Sequence, residues 1–381
     1  MQEQSLAERV KGAALELGFD LVGITGAEPS AFAAEYRDWI ERGFAGEMTY
    51  LARNLERRLD PRELLPDARS IIVVGMNYYA DHAEGPGTPA PDPERAVFAR
   101  YARGDDYHDV MSARLHTLLD QLKAWAGGGA DGRVYVDAGP LLEREVARRA
   151  GLGWFGKNTL LINTRRGSYF FLGEIVTNVS LPPDEPAVGG CGTCTRCIDA
   201  CPTGAIVAPF QLDARRCLSY LTIELKGPIP EEFRPALADS GNRIFGCDIC
   251  QEVCPINRTH STSRHPTLFP TEEPAYQPRD VTVSSTVTDL LYLTEEEFRE
   301  NFKGSPVKRT KRRGLLRNAA AALSMRDDNE AVVALLHALN DPEPMVREQA
   351  AQSLEVIRAR KTQRNATTEV GLWKDRYDET H

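Results

Sequence analysis

Apolar residues recur at helical spacing over residues 4–18, where Leu6, Val10, Ala13, Ala14 and Leu17 share one face and Gly18 supplies a stop. The apolar run at 21–24 that follows predicts a strand. SIIVVGMNYY (70–79) and RVYVDAG (133–139) have the pattern of buried strands, and SYFFLGEIVTNVSL (168–181) is a further one. Between the first two lie a Pro/Gly-rich loop at 84–94 and an amphipathic helical stretch near 107–126. This alternation predicts an α/β or α+β domain whose sheet order the pattern does not reveal.

PPDEP at 182–186 marks a boundary. Beyond residue 305 three short amphipathic helices are predicted at 315–325, 330–340 and 345–357, with DPEP at 341–344 forcing a turn. Short paired helices of this kind suggest a small HEAT-like helical-repeat cap. The end of the chain reads as a tail, with Trp373 and Tyr377 available to dock part of it. The expected division is 1–181, 182–275 and 276–381.

Composition agrees with several domains, since 381 residues exceed the usual size of one. Hydrophobic residues at 42% and charged ones at 27% describe a globular chain. A net charge of -9 argues against coating nucleic acid or membrane with the whole surface, while leaving room for a local basic patch. The amino terminus lacks the apolar core of a secretion signal, and no uncharged apolar run of about 18 residues occurs, so a cytoplasmic protein is expected. Nothing in the sequence demands more than a monomer.

All eight cysteines fall between Cys191 and Cys254. Cys191, Cys194, Cys197 and Cys201 follow C-x2-C-x2-C-x3-C-P, the spacing with which two-cluster ferredoxins wrap a cubic iron–sulfur cluster and send the fourth thiolate to the other one. On that logic Cys191, Cys194 and Cys197 join Cys254, and Cys201 joins Cys217, Cys247 and Cys250. Cys217 stands 30 positions before Cys247, so an insertion interrupts the second half. Zinc is the alternative for C-x2-C pairs, but two runs ending in Cys-Pro and a count of eight without surplus favour two [4Fe-4S] clusters. Such a pair is a wire, and the chemistry must sit on a neighbour.

The neighbour has recognisable sequence. VDAGPLLEREVARRAGLGWFGKNTLLI (136–162), GSYFFLGEIVTN (167–178), RYARGDDYHDVM (100–111) and the cysteine pattern with its displaced Cys217 together resemble the epoxyqueuosine reductase family over nearly the entire chain. That resemblance implies a nitroreductase-like domain binding cobalamin with no protein side chain below the cobalt. It implies reductive removal of the epoxide oxygen of epoxyqueuosine at the first anticodon position of tRNA, giving queuosine. The tRNAs would be those for Asp, Asn, His and Tyr, and an unidentified donor would supply electrons. The proton donor that the resemblance implies is Asp137, which would also lie at the corrin; read without the resemblance, Asp137 is first a cap or turn at the strand end before Pro140, with general-acid catalysis as the other reading. Resemblance also places Gly156, Lys157, Asn158 and Leu161 beside the corrin, with Arg58, Tyr101, Leu172 and Ser219 as further neighbours; ordinary packing is the alternative for each. GLGWFG fits the letters of a dinucleotide loop but follows a helical stretch where a strand is required.

The densest basic run, SPVKRTKRRGLLRNA (305–319), carries Lys308, Arg309, Lys311, Arg312, Arg313 and Arg317 and is the expected tRNA contact, with Lys226 as a second edge. A solvated face is the bland alternative. His108, His116, His260 and His265 have no metal-binding spacing and read as surface or capping residues. Two other functions stay open: a reductive dehalogenase-like enzyme with the same cofactors, and a two-cluster electron carrier with a helical docking domain.

Overall fold

The computed structural model describes residues 5–80, 92, 94–258 and 263–378, with side chains of the last helix described to residue 364. Most of the loop at 84–94, His260, and the side chains of Trp373 and Tyr377 lie outside the described residues.

Helix α1 (Leu6–Glu16) opens on a capping box, in which the Ser5 hydroxyl accepts the Glu8 N–H and the Glu8 carboxylate accepts the Ser5 N–H. Strands β1 (Leu21–Gly26), β2 (Ser70–Asn77), β3 (Gly132–Tyr135) and β4 (Phe170–Thr177) form one antiparallel sheet in the order β1-β2-β4-β3. The two central strands read as nearly continuous apolar runs because helices cover both faces. Ile72, Val74 and Ile175 meet α1 and α2 (Tyr107–Ala126), whereas Ile71, Val73 and Val176 meet α3 (Glu143–Arg149). Against this apolar background Glu174 occupies the middle of β4, opposite Val73 on one side and Tyr135 on the other.

The strand expected over 133–139 is shorter and less buried. β3 is a partly exposed edge that stops at Tyr135, and at Asp137 the backbone turns into the left-handed region with φ 54°. The cysteine segment contains α4 (Leu218–Ile223) and is tied back to the first by parallel pairing of 243–245 with 97–98.

The carboxyl-terminal helices are α5 (Lys311–Leu323), α6 (Asn329–Ala338) and α7 (Pro344–Asp378). Two of the three begin close to where the pattern placed them. The third continues as helix through most of the stretch expected as a tail. Leu315, Ala319 and Ala350 share a core with Phe98, Phe245 and Phe302, so the helical region packs directly on the segments that link it to the sheet. Among the described residues no helix is long and apolar enough to cross a membrane.

Candidate active site and cysteine centres

Asp137 stands just past the end of β3, and its conformation aims the carboxyl back at the start of α2. Tyr107 Oη donates to Asp137 Oδ2 at 2.7 Å, and His108 Nε2 lies 3.6 Å from the same oxygen. The opposite ring nitrogen, Nδ1, is 2.7 Å from Asp106 Oδ1, and Lys308 Nζ closes the row at 2.9 Å from Asp106 Oδ2. The Asp137 side chain is 62% exposed although protein surrounds its carboxyl on most sides, as at the wall of a cleft. Tyr50 and Arg309 stand close by, with the guanidinium 5.6 Å over the ring. Expected as a surface or capping residue, His108 instead contacts the carboxyl singled out for proton transfer. RYARGDDYHDVM contained it, but no spacing linked it to a residue 29 positions later.

These contacts set protonation. Burial alone would raise the Asp137 carboxyl, but hydrogen bonds from His108 and Tyr107, then the charges of His108 and Arg144, hold it below the ordinary carboxylate range. Burial alone would lower His108, but Asp106 and Asp137 outweigh it and lift the imidazole to about 9. At neutral pH the proton is therefore stored on the imidazole against an ionised Asp137. Beneath lie two further acids. Glu143 Oε1 accepts the Asp137 N–H at 2.5 Å, and burial followed by the Asp137 charge pushes Glu143 up to about 8. Burial followed by the Glu143 charge drives Glu174 well above the carboxylate range.

The loop after Asp137 is anchored by Arg58, whose guanidinium donates to Leu141 O at 3.3 Å. Tyr101 packs edge-on against Tyr107 with ring centroids 6.3 Å apart. Leu172 shares the face of β4 that carries Glu174. Arg58 and Tyr101 are thus placed beside the Asp137 turn. The other residues expected at the corrin contact the cysteine loops and the neighbouring hairpin. Lys157 donates its backbone N–H to Cys191 Sγ at 3.3 Å and its ammonium to Gly192 O and Cys194 O at 2.8 and 3.0 Å. Asn158 is buried and donates to Cys250 O at 3.3 Å. Leu161 is a core residue of a two-residue strand paired with Trp154–Phe155, and a Cβ at Gly156 would sit 2.4 Å from Asn158 Oδ1. Ser219 hydrogen-bonds the Cys217 thiol. GWFGKN therefore bridges the cysteine loops with its polar side chains. It also follows α3 as a tight hairpin, which removes the dinucleotide alternative.

All eight thiols are free. Burial pushes Cys197 up, and the charges of Cys191, Cys254 and Cys194 add to that; Cys254 in turn feels Cys191 and Cys194. Burial likewise raises Cys217, with Cys201 as its thiol neighbour, and pushes Cys247 up to about 12, with Cys217 beside it. Cys250 is raised by burial, then by Cys247 and Cys217, and more weakly by Cys197, which marks where the two groups approach. Among the described residues no three such side chains close on a single ion.

The basic run divides. Lys308, Arg309, Lys311 and Arg313 are exposed, as is Lys226. Arg312 and Arg317, expected to face RNA, point inward. Arg312 is buried in a two-point ion pair with Asp341, Nη1 to Oδ1 at 3.1 Å and Nη2 to Oδ2 at 2.5 Å, and Arg317 is 0% exposed. Arg317 donates to Leu221 O, Leu225 O and Gly227 O, tying α5 to the loop after α4. Helical period alone does not separate them, since Arg313 and Arg317 are four residues apart on one face; Arg317 is buried because α5 is enclosed on every side from Gly314 onward, whereas Lys311 and Arg313 stand in the exposed first turn, where only Arg312 turns inward to Asp341.

Two family models match the chain. The model for a 4Fe-4S double cluster binding domain covers residues 190–257, and that for epoxyqueuosine reductase QueG, DUF1730, covers 58–138. The epoxyqueuosine reductase of Xanthomonas campestris is 43% identical over 349 residues, spanning 91% of this chain and 95% of its own. A crystal structure of an epoxyqueuosine reductase with an epoxyqueuosine-modified tRNA-Tyr stem loop superposes with a TM-score of 0.80 at 34% identity, covering 92% of this chain and 90% of the other. The Bacillus subtilis enzyme, solved with a catalytic aspartate loop swung out of the active site, matches with the same TM-score, identity and coverage.

Proposed function

The chain belongs to the epoxyqueuosine reductase family, and from that premise we propose that it reduces epoxyqueuosine in tRNA to queuosine, with Asp137 as its proton donor. The observation that carries the assignment of Asp137 is its carboxyl, open to a cleft yet held by Tyr107 and by a histidine that stores a proton. The swung-out catalytic aspartate loop of the Bacillus subtilis relative supports the same residue, since Asp137 sits on a left-handed turn between a strand and a helix.

The net reaction takes two electrons and two protons, breaks both epoxide C–O bonds, and releases water with an alkene. We assign residues 1–181 to a nitroreductase-like cobalamin domain, 182–275 to the two-cluster domain and 276–381 to a HEAT-like RNA-binding region. Cobalamin supplies a strongly nucleophilic, low-potential metal able to open an epoxide. The cleft at Asp137 fits such a group in two respects: Tyr107 and Tyr101 stand beside the carboxyl, and Arg58 Nε there is a buried donor without an acceptor among the described residues. Asp137, recharged from His108, delivers a proton to the departing oxygen.

For the clusters, Cys191, Cys194, Cys197 and Cys254 would hold one and Cys201, Cys217, Cys247 and Cys250 the other. The second is the inner one. Gly246, next to Cys247, is so close to the aromatic wall that an added Cβ would lie 3.5 Å from Tyr101 Cε1. Tyr101 in turn packs on Tyr107, which holds Asp137. Electrons from a donor would therefore pass the first set, then the second, then the cleft. At its mouth Lys308, Arg309, Lys311, Arg313 and Lys226 offer phosphate contacts, and exposed Tyr50 offers a ring on which a splayed base can stack. The tRNAs would be those for Asp, Asn, His and Tyr.

The test is turnover of epoxyqueuosine-containing tRNA by the reconstituted protein with a strong one-electron donor. Asp137→Asn should form no queuosine while retaining stem-loop binding and iron content. Full rate in Asp137→Asn would overturn the assignment of the acid, and absence of corrin binding by the intact chain would overturn the cofactor.

A further inference from the structure

The sheet carries a fully buried acid that the reaction described above does not use. Glu174 is 0% exposed on the central strand β4, and among the described residues neither of its carboxylate oxygens meets a hydrogen-bond donor. A carboxylate buried without a paired donor strongly disfavours its ionised form. Its polar neighbour is another carboxyl, Glu143 at the start of α3. The nearby cation, Arg144, sends its guanidinium to Thr159 O at 3.0 Å. Two carboxyls facing each other without a donor are satisfied only by a proton between them. The upper member, Glu143, accepts the N–H of Asp137 at 2.5 Å, at a residue whose φ of 54° is uncommon for a side chain other than glycine.

We propose that Glu174 and Glu143 share a proton and act as a positioning pair, in which the sheet fixes Glu174, Glu174 fixes Glu143, and Glu143 holds the left-handed Asp137 turn in the cleft. This rests on Asp137 being the acid. The groups facing the pair are Asp137 and Tyr135 from the β3 edge, Arg144 from α3, and Tyr107 and His108 from α2 across the Asp137 carboxyl. Of these, Asp137 adds negative charge and so favours retention of the shared proton. Release of the Glu143 contact frees the turn to leave the cleft.

The experiment uses the full chain with both clusters and cobalamin loaded. Glu143→Ala removes the acceptor and should lower kcat about 100-fold, the scale expected when a reacting group is displaced by about an ångström. KM for the modified stem loop and iron content should not change. Glu143→Gln keeps a carbonyl acceptor and should recover most of the lost rate. Glu174→Gln keeps a donor toward Glu143 and should fold normally, but the infrared band of a buried protonated carboxyl, present in the wild type at neutral pH, should vanish. Hydrogen exchange of the turn at Asp137 should accelerate in Glu143→Ala.

Unchanged kcat in Glu143→Ala, equal loss in Glu143→Ala and Glu143→Gln, or no protonated-carboxyl band in the wild type would each overturn the pair. The infrared and exchange readouts do not depend on catalysis. Failure of Asp137 as the acid, seen as full rate in Asp137→Asn, is therefore distinguishable from failure of the pair.

Discussion

His108 shows how much a single contact changes at the residue scale. In the sequence it is a lone histidine after two aspartates, and Asp106 does cap α2 by accepting the His108 N–H. Folding adds Asp137 at the other end of the ring. Because its pKa is raised from an unfolded value of about 6.5 to about 9, the protonated imidazole favours the folded state. Its contribution is complete below the unfolded value and is lost as pH rises through the folded one. If the imidazole recharges Asp137, the turnover number should fall along an alkaline limb near that higher value. His108→Gln should remove this limb and leave a lower, flatter profile in stopped-time assays of queuosine formation. Glu143, pushed up to about 8, would contribute a separate limb that persists in the variant.

At the scale of elements, α5 separates two kinds of basic residue that its sequence runs together. Lys311→Glu with Arg313→Glu should weaken stem-loop binding, most at low salt, and leave thermal stability nearly unchanged, because both side chains lie in solvent. Arg312→Met should do the reverse. Removing one partner of a buried ion pair costs about 3–5 kcal/mol, so denaturant unfolding should show a large loss while any folded fraction binds RNA normally. Arg317→Met should also destabilise, since it leaves three backbone carbonyls without their donor. The same scale explains β3. The apolar pattern predicted a strand to 139, and the strand stops at Tyr135 because the chain turns at Asp137 on its way to α3.

For the whole molecule, the arrangement of thiols yields a prediction about clusters. Cys217→Ser and Cys201→Ser should abolish the same electron paramagnetic resonance signal and reduce iron by about half, as expected when one of two like clusters loses a ligand. Cys191→Ser and Cys254→Ser should abolish the other signal. Loss of one common signal in Cys217→Ser and Cys254→Ser would contradict the assignment. Cluster loss should also be felt beyond the cysteine loops, because Lys157 and Asn158 fasten those loops to the sheet domain.

The sequence by itself determined what repeats locally. The cysteine spacing, the helical periods of α1 and α2, and the strand runs of β1, β2 and β4 are legible because neighbours in the chain remain neighbours in the element. Asp137 came forward only through the resemblance of its motif to a known family, since the residue alone reads first as a cap or turn at the end of the strand. Tertiary structure decided which residues meet across long separations: His108 with Asp137, Glu143 with Glu174, Lys157 with Cys191, and Arg312 with Asp341. None of these pairs has a periodic signal. Each depends on how helices cover the sheet, and burial there turns ordinary charged side chains into a proton store, a carboxyl pair, a loop clamp and a structural ion pair.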